Sequence, residues 1–234
     1  MTEAARLWLV PAGGDLPAET LARLLTAGER QRLAGLADPT RRREFLLSRA
    51  LVRALLGVRL GLPPNAVPIV ATDRGKPVLA ATSDAQRLSF SWSHAGGAVL
   101  VAIGGTRPVG VDLEPIGPAE PRIARRFFTA AERARLDGLA GKAADAGFFR
   151  VWTVKEAIAK ARGLGISLPF RSIDVGPDDT GIAAGCRWWS VDAGPGHRAA
   201  LAVLEPVDAP AAAPAPPAFI TPADIEALAA PIAA

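Results

Sequence analysis

The chain has 234 residues, a mass of 24.2 kDa and a formal net charge of +4. Half of its residues are hydrophobic, which excludes an intrinsically disordered chain and is enough for a buried core. One cysteine excludes an internal disulfide. Apolar runs stop short of the roughly 20 residues of a membrane helix, and Met1-Thr2-Glu3 does not open a signal peptide. We therefore expect a soluble cytoplasmic protein with no membrane partner.

Residue patterns up to residue 114 predict a strand, two helices and four further strands. The predicted ranges are, in order, 6–10, 18–36, 40–60, 67–71, 88–93, 98–103 and 109–114. Thr40 is the expected cap of the second helix. The connection 104–108 is short and contains glycine, so the last two strands are expected to form an antiparallel hairpin.

The second half repeats this order of helices before strands. A capping-box spacing joins Thr129 to Glu132, and the further elements are a helix over 144–162 and strands over 171–175, 187–191 and 198–203. This order predicts an α+β fold in which residues 1–107 and 108–205 form two similar halves. Residues 206–234 form a tail: a Pro/Ala-rich linker, then a short helix near Thr221. We expect the tail to be dispensable for chemistry.

Positive charge is concentrated in residues 30–59, which hold eight arginines against Asp38 and Glu44. Such a stretch favours an anionic partner: nucleic acid, a phosphorylated small molecule or an acidic protein surface. A solvated helix face is the ordinary alternative. The chain uses only four lysines, and three of them, Lys76, Lys155 and Lys160, fall in the motifs described next.

Two acidic residues stand two apart on the predicted strand 109–114. Asp112 and Glu114 therefore leave the same face, and a hard divalent cation such as Mg²⁺ would relieve their repulsion. The alternative is the polar face of an edge hairpin. On the helix 144–162, Glu156 and Lys160 stand one turn apart, a spacing that is also common for surface ion pairs.

A serine and a histidine end the alternating strand 88–93. Ser93 and His94 offer a hydroxyl and an imidazole to a phosphate. No zinc-ligand spacing, nucleophile-elbow motif or P-loop motif occurs in the sequence. Zinc hydrolases, α/β-hydrolases and P-loop NTPases are therefore poorly supported.

Taken in order along the chain, these motifs resemble one known family. They are Gly75-Lys76-Pro77, Phe90-Ser91-Trp92-Ser93-His94, Val109-Gly110-Val111-Asp112-Leu113-Glu114, Arg126-Phe127-Phe128 and Trp152-Thr153-Val154-Lys155-Glu156-Ala157 with Lys160. The series resembles the 4′-phosphopantetheinyl transferases of the surfactin-synthetase-activating type, from residue 1 to about residue 205. The family's second serine after the histidine is Ala95 here, so that side-chain contact is lost.

The resemblance implies a pseudo-dimeric α+β fold that clasps coenzyme A in the cleft between its two halves. It also implies a transferase, dependent on Mg²⁺ or alternatively Mn²⁺, that moves 4′-phosphopantetheine from coenzyme A to a serine of an apo acyl or peptidyl carrier protein. The second product is adenosine 3′,5′-bisphosphate. We further expect a monomer without nucleic acid that serves polyketide or nonribosomal-peptide secondary metabolism.

The resemblance also assigns site residues by motif. The implied metal ligands are Asp112, Glu114 and Glu156, and the implied catalytic residues are Glu156 and Lys160. The implied coenzyme A contacts are Ser93, His94, Lys76, Lys155 and Lys160, together with Arg32, Arg43 and Arg49 near the 3′-phosphate. Of these arginines we favour Arg32 and Arg43. Glu132 matches a glutamate to which the family sometimes gives a role, but its capping box is a complete structural explanation.

Three other functions compete with the transferase. A nucleic-acid-binding module would interleave aromatics with its basic residues, whereas residues 30–60 contain only Phe45. A Mg²⁺-dependent phosphohydrolase would use the same carboxylates with water as its nucleophile. A non-catalytic docking module would not need the complete carboxylate and lysine set. A requirement for a carrier-protein serine separates the transferase from the hydrolase.

Overall fold

The computed structural model describes residues 4–15, 17–80, 88–205 and 217–229. In this part of the chain the helices and strands follow one another in two α+β series. They are β1 (Arg6–Val10), α1 (Ala18–Arg23), α2 (Ala27–Ala34), α3 (Pro39–Leu60), β2 (Ile69–Ala71), β3 (Pro77–Leu79), β4 (Phe90–Ala95), β5 (Ala98–Ile103), β6 (Val109–Pro115), α4 (Pro121–Phe127), α5 (Ala130–Asp137), α6 (Lys142–Arg162), β7 (Thr180–Ala183), β8 (Cys186–Val191), β9 (His197–Leu204), β10 (Ala218–Phe219) and α7 (Pro222–Ala229).

The first half packs the long helix α3 against a four-stranded sheet of order β10-β1-β5-β4. The single helix predicted over 18–36 is wrong, because the chain breaks at Thr26. There the Thr26 side chain and Glu29 form a capping box that starts α2. Asp38 rather than Thr40 caps α3, since Pro39 occupies the first turn and the Asp38 side chain accepts from the N–H of Arg41.

The second half packs α6 across the sheet β6-β9-β8-β7, and apolar side chains of the helix form its core with β8 and β9. Gly163, in the left-handed conformation at φ 65°, ends α6 as predicted. The strand predicted over 171–175 is wrong. A short 3-10 helix, Phe170–Ser172, begins there instead, and the carbonyl oxygens of Phe170 and Ile173 accept hydrogen bonds from Lys155 of α6.

The two halves meet where β4 lies beside β6. The hairpin predicted between β5 and β6 is wrong, since β5 pairs with β1 and β4 while β6 pairs with β9 in the other sheet. The hydroxyls of Ser89 and Ser91 accept hydrogen bonds from the backbone N–H groups of Val109 and Val111, at 2.8 and 3.1 Å. These serines satisfy N–H groups on the free edge of β6 that a pairing strand would otherwise have bonded.

A third apolar cluster fills the space between the two sheets. It joins side chains of β1 and β5, such as Leu9 and Leu100, to side chains of β6 and β9, such as Val111 and Leu201. The predicted α+β fold of two similar halves is thereby confirmed. None of the helices in the described ranges is long and apolar enough to span a membrane.

The C-terminal segment returns to the first half. Residues 206–216 of the predicted linker lie outside the described residues. Beyond them β10 pairs in parallel with β1, and the helix predicted near Thr221 is present as α7. Ile225 on α7 is fully buried in the first core, beside α3. The tail therefore contributes to the stability of the first half.

Replacing Ile225 by alanine should lower the free energy of unfolding by about 2–4 kcal/mol, because the substitution leaves a cavity in a closed core. Chemical denaturation monitored by tryptophan fluorescence measures this loss. Ala223→Ser, on the exposed side of the same helix, is the matched control and should change stability by less than about 0.5 kcal/mol. Equal stability of the two variants would show that α7 is not docked.

Candidate active site

The strand β6 lies unusually close to α6 at Gly110. A Cβ at this position would stand 2.1 Å from the carbonyl oxygen of Ala157 and 2.3 Å from the amide nitrogen of Ala161. Only glycine permits this approach of strand to helix backbone. Asp112, two residues further along the same face of β6, lies within hydrogen-bond distance of Lys160 on α6.

Three of the predicted residues are joined by hydrogen bonds at this point. Lys160 Nζ lies 2.8 Å from Asp112 Oδ1 and 2.9 Å from Ser93 Oγ, and Ser93 donates to the same Asp112 oxygen at 3.0 Å. Ser93 comes from β4 of the first half, whereas Asp112 and Lys160 come from the second. Asp112 and Ser93 are buried, but a third of the Lys160 side chain remains exposed. The site therefore depends on both halves and is open to a ligand.

The other two predicted carboxylates interact electrostatically with Asp112. Burial, together with the Asp112 charge, raises the pKa of Glu114 to about 7, against a smaller opposing effect of a hydrogen bond from Trp152. Burial and the Asp112 charge also raise the pKa of Glu156, while Lys160 acts in the opposite direction. Like charges in a half-buried site thus disfavour full ionisation of the three acids.

The donor chemistry of this cluster fits a hard divalent cation. Asp112 Oδ2 is buried and has no hydrogen-bond partner among the described residues. A cation would satisfy this oxygen and relieve the repulsion among the three carboxylates. Within the described ranges, no three acidic, histidine or cysteine side chains converge closely enough to enclose an ion. Asp112, Glu114 and Glu156 would therefore have to share it with oxygens of a substrate or of water.

A cavity of about 260 Å³ opens beside Lys160, between β4 and the end of α6. The rings of Phe90 and Trp92 line it together with Lys76. Lys76 Nζ donates to the carbonyl oxygen of Ala161 at 2.8 Å, and burial lowers its pKa to about 8. The structure thus brings Lys76 and Lys160 to one cavity, although Lys76 also links its turn to α6.

The fold places the three candidate arginines in two different environments. The guanidinium groups of Arg32 and Arg49 lie 5.6 and 5.3 Å from the centre of the Phe45 ring, and that of Arg49 lies 4.3 Å from the Trp92 ring. Arg43 instead donates to the carbonyl oxygens of Gly13 and Gly14 in the loop after β1. Arg32 and Arg49 thus share one aromatic neighbour and Arg43 does not, while the preference among the three arginines stays a prediction.

The remaining predicted residue of β4, His94, has a partner that sequence reasoning missed. Its Nδ1 lies 3.1 Å from Oε2 of Glu44, a buried side chain of α3. Glu44 is one of only two acids in the arginine-rich stretch 30–59, which was the available signal. Nothing in the local sequence identifies a partner 50 residues away.

Lys155 does not belong to this cluster. Its side chain is 0% exposed, and its Nζ bonds Glu132 Oε2 at 2.9 Å and the carbonyl oxygens of Phe170 and Ile173 at 2.7 and 2.6 Å. With three oxygen partners in the interior, the ammonium is not available to a phosphate, so the predicted contact to coenzyme A does not fit. Glu132 forms the predicted capping box and also accepts from the N–H of Val175.

The buried Glu132–Lys155 pair should be essential to the second half. Lys155→Met leaves the Glu132 carboxylate buried without its ammonium partner, which should lower the free energy of unfolding by about 3–5 kcal/mol. Urea denaturation measures this loss. Lys142→Met, on the exposed first turn of the same helix, is the control and should cost less than about 0.5 kcal/mol. Similar losses in the two variants would contradict the interior role.

Two family models match the chain, one on each half. Residues 17–105 match the model described as 4'-phosphopantetheinyl transferase, N-terminal, and residues 108–195 match the 4'-phosphopantetheinyl transferase superfamily. A crystal structure of a holo-(acyl-carrier-protein) synthase from Bacillus anthracis, in complex with CoA (3',5'-ADP), is 25% identical. That alignment covers 42% of this chain and 95% of the other, with a TM-score of 0.36.

Curated proteins match over most of their length. The 4'-phosphopantetheinyl transferase HetI of Nostoc sp. is 35% identical over 71% of this chain and 72% of its own. A 4'-phosphopantetheinyl transferase of Bacillus subtilis is 30% identical over 68% of this chain and 75% of its own. The protein Sfp of Bacillus subtilis strain 168 is 32% identical over 56% of each chain. Since both halves and several relatives agree, the chain belongs to the 4'-phosphopantetheinyl transferase family of enzymes.

Proposed function

We propose that this enzyme transfers the 4′-phosphopantetheine of coenzyme A to a serine of an apo acyl or peptidyl carrier protein, with Mg²⁺ or Mn²⁺ as cofactor. The observation that carries the proposal is the meeting of Ser93, Asp112 and Lys160 between the two halves, beside a cavity. One ammonium group and several carboxylates at one place suit a pyrophosphate substrate. The negative charge of a pyrophosphate is balanced by a metal cation, which the carboxylates would hold, and by fixed hydrogen-bond donors.

In the proposed reaction the serine hydroxyl oxygen bonds to the phosphorus that bears pantetheine. The bond from this phosphorus to the bridging oxygen breaks, and adenosine 3′,5′-bisphosphate leaves. Lys160 and Ser93 would donate hydrogen bonds to phosphate oxygens, and Lys76 would lie along the nucleotide in the cavity. His94 would contact a further phosphate. The displacement needs little beyond positioning and charge neutralisation, which these groups supply.

The metal ion would be held by Asp112, Glu114 and Glu156. When bound, it would neutralise charge on the pyrophosphate oxygens. The serine proton has two candidate acceptors, Glu156 and a water molecule.

The proposal also covers the family subtype, the carrier proteins served and the cellular location. Relatives matched by the chain include both HetI and Sfp, so assignment to the surfactin-activating type, with polyketide or nonribosomal-peptide carriers, stays a prediction. We also retain the expectation of a cytoplasmic monomer without nucleic acid, in which residues 1–107 and 108–205 together form one complete site. A Mg²⁺-dependent phosphohydrolase is the alternative function.

Asp112→Asn should lower the rate of transfer by at least about 100-fold. Even residues that only hydrogen-bond to a metal ligand contribute about 10- to 100-fold to metal affinity or activity. Intact-mass spectrometry of an apo carrier protein, incubated with coenzyme A and Mg²⁺, measures the gain of one phosphopantetheine. Wild-type protein should show this gain without chelator and lose it with chelator. Asp178→Asn, an exposed acid remote from the site, is the control. Full activity of Asp112→Asn would contradict the ligand assignment, and hydrolysed coenzyme A without transfer would favour the phosphohydrolase.

The pair Arg32 and Arg49 is our revised candidate for the 3′-phosphate of coenzyme A. Burial lowers the pKa of Arg49, the Glu29 carboxylate 3.9 Å away opposes this, and the nearby Arg32 charge lowers the pKa further. A second anion would therefore favour the charged form of Arg49 beside Arg32. Arg49→Gln should raise the KM for coenzyme A about tenfold or more, the contribution of one hydrogen bond to a charged group. The KM for 3′-dephospho-coenzyme A should change little.

Arg43→Gln is the matched comparison, because Arg43 lies on the same helix but binds the loop carbonyls of Gly13 and Gly14. Arg43→Gln should change the KM for coenzyme A and the KM for 3′-dephospho-coenzyme A by the same factor. If Arg43→Gln raised the KM for coenzyme A selectively and Arg49→Gln did not, the 3′-phosphate contact would be assigned to Arg43 instead.

A further inference from the structure

Glu44 is an exception on the buried face of α3. That face is apolar apart from Glu44, Ser48 and Arg53, and Glu44 is only 7% exposed. Ser48 bonds the carbonyl oxygen of Phe45 within its own helix, and Arg53 bonds Glu29. A buried carboxylate is costly unless hydrogen bonds compensate it, so the partners of Glu44 indicate why it is there.

The two oxygens of Glu44 have different partners in the hairpin β4–β5. Oε1 accepts the backbone N–H of Gly97 at 2.8 Å, and Oε2 lies 3.1 Å from Nδ1 of His94. Gly97 is in the turn, with a φ of 81°. One oxygen therefore anchors the turn and the other contacts the imidazole that ends β4. These two roles can be separated by experiment.

The contact at Oε2 determines how His94 can be used. A carboxylate only accepts hydrogen bonds, so the imidazole must carry a proton on Nδ1 to make this contact. Its other nitrogen, Nε2, is then left for a ligand, and the His94 side chain is 39% exposed. By strand alternation His94 shares a face of β4 with Trp92, against which Arg49 lies.

We propose that Glu44 is a positioning residue for the anionic substrate, acting through His94. Its contact with Nδ1–H fixes the ring orientation. It also balances the charge of the doubly protonated ring, whose Nε2–H donates to a phosphate oxygen. The inference rests on the proposed function, because it requires that His94 meets a coenzyme A phosphate.

Glu44→Gln tests this role with little change in shape. The amide oxygen can still accept from Gly97. The amide NH₂ group then faces Nδ1, which must become an acceptor, so Nε2–H donates to the phosphate from a neutral ring and the charge-assisted part of that bond is lost. We expect the Kd and KM for coenzyme A to rise about tenfold, with kcat changed by less than about twofold. Calorimetry with coenzyme A and no carrier protein measures the Kd. Ser48→Ala, one turn further along the same buried face, is the control and should bind coenzyme A like wild type.

Nitrogen-15 NMR provides a readout that a purely structural role would not change. The chain has only two histidines, so a His197→Gln variant assigns the His94 signals. In neutral His94 the proton should be on Nδ1 in wild type and on Nε2 in Glu44→Gln. Combining Glu44→Gln with His94→Ala should weaken the binding of coenzyme A no further than His94→Ala alone does.

Two results would overturn the inference alone: a wild-type proton on Nε2, or a Glu44→Gln variant that loses thermal stability but keeps the wild-type Kd. The second result would mean that Glu44 only anchors the turn through Gly97. If wild-type protein binds no coenzyme A, the proposed function fails and this inference fails with it. Wild-type binding thus separates the two cases.

Discussion

The close approach of β6 to α6 at Gly110 is the constraint on which the site depends. A side chain at this position would overlap the helix backbone near Ala157, so only glycine lets strand and helix come this close. The approach places Asp112 within hydrogen-bond distance of Lys160. The glycine of the motif is therefore explained by distance rather than by backbone conformation.

The second constraint is the way in which the halves join. Ser89 and Ser91 bond the free backbone edge of β6, and Ser93, next on the same face of β4, bonds the carboxylate of Asp112. The same alternation that turns Phe90 and Trp92 toward the first core turns the three serines toward the second half. The row of serines that joins the halves thus continues into the candidate site, which couples the geometry of the site to the packing of the interface.

Features that depend on local pattern were predictable from sequence. The alternation of β4, the acidic face of β6 and the capping box at Thr129 all involve residues within one element. Features that depend on distant partners were not. The partner strand of β6 is β9, far along the chain, so the short loop before β6 wrongly predicted a hairpin.

The same limit explains the errors among the site residues. Lys155 and Lys160 lie on one helix within one motif, and their side chains leave it in different directions. One meets Glu132 and two interior carbonyl groups, the other meets Asp112 at the opening between the halves. Sequence spacing does not specify which environment surrounds each face of a buried helix. Glu44 was missed for the same reason, because it lies on α3 and its partners lie on the hairpin β4–β5.

Charge balance at the candidate site is compatible with the divalent ion that we propose. Asp112, Glu114 and Glu156 interact with one another and with one ammonium group, that of Lys160. When all are ionised, two negative charges remain, which is the charge that one divalent cation neutralises. Without a cation, burial and repulsion hold the pKa of Glu114 near 7, so this carboxyl is partly protonated at neutral pH. Binding of a cation would favour release of that proton, and the site would then be fully ionised only when it is loaded.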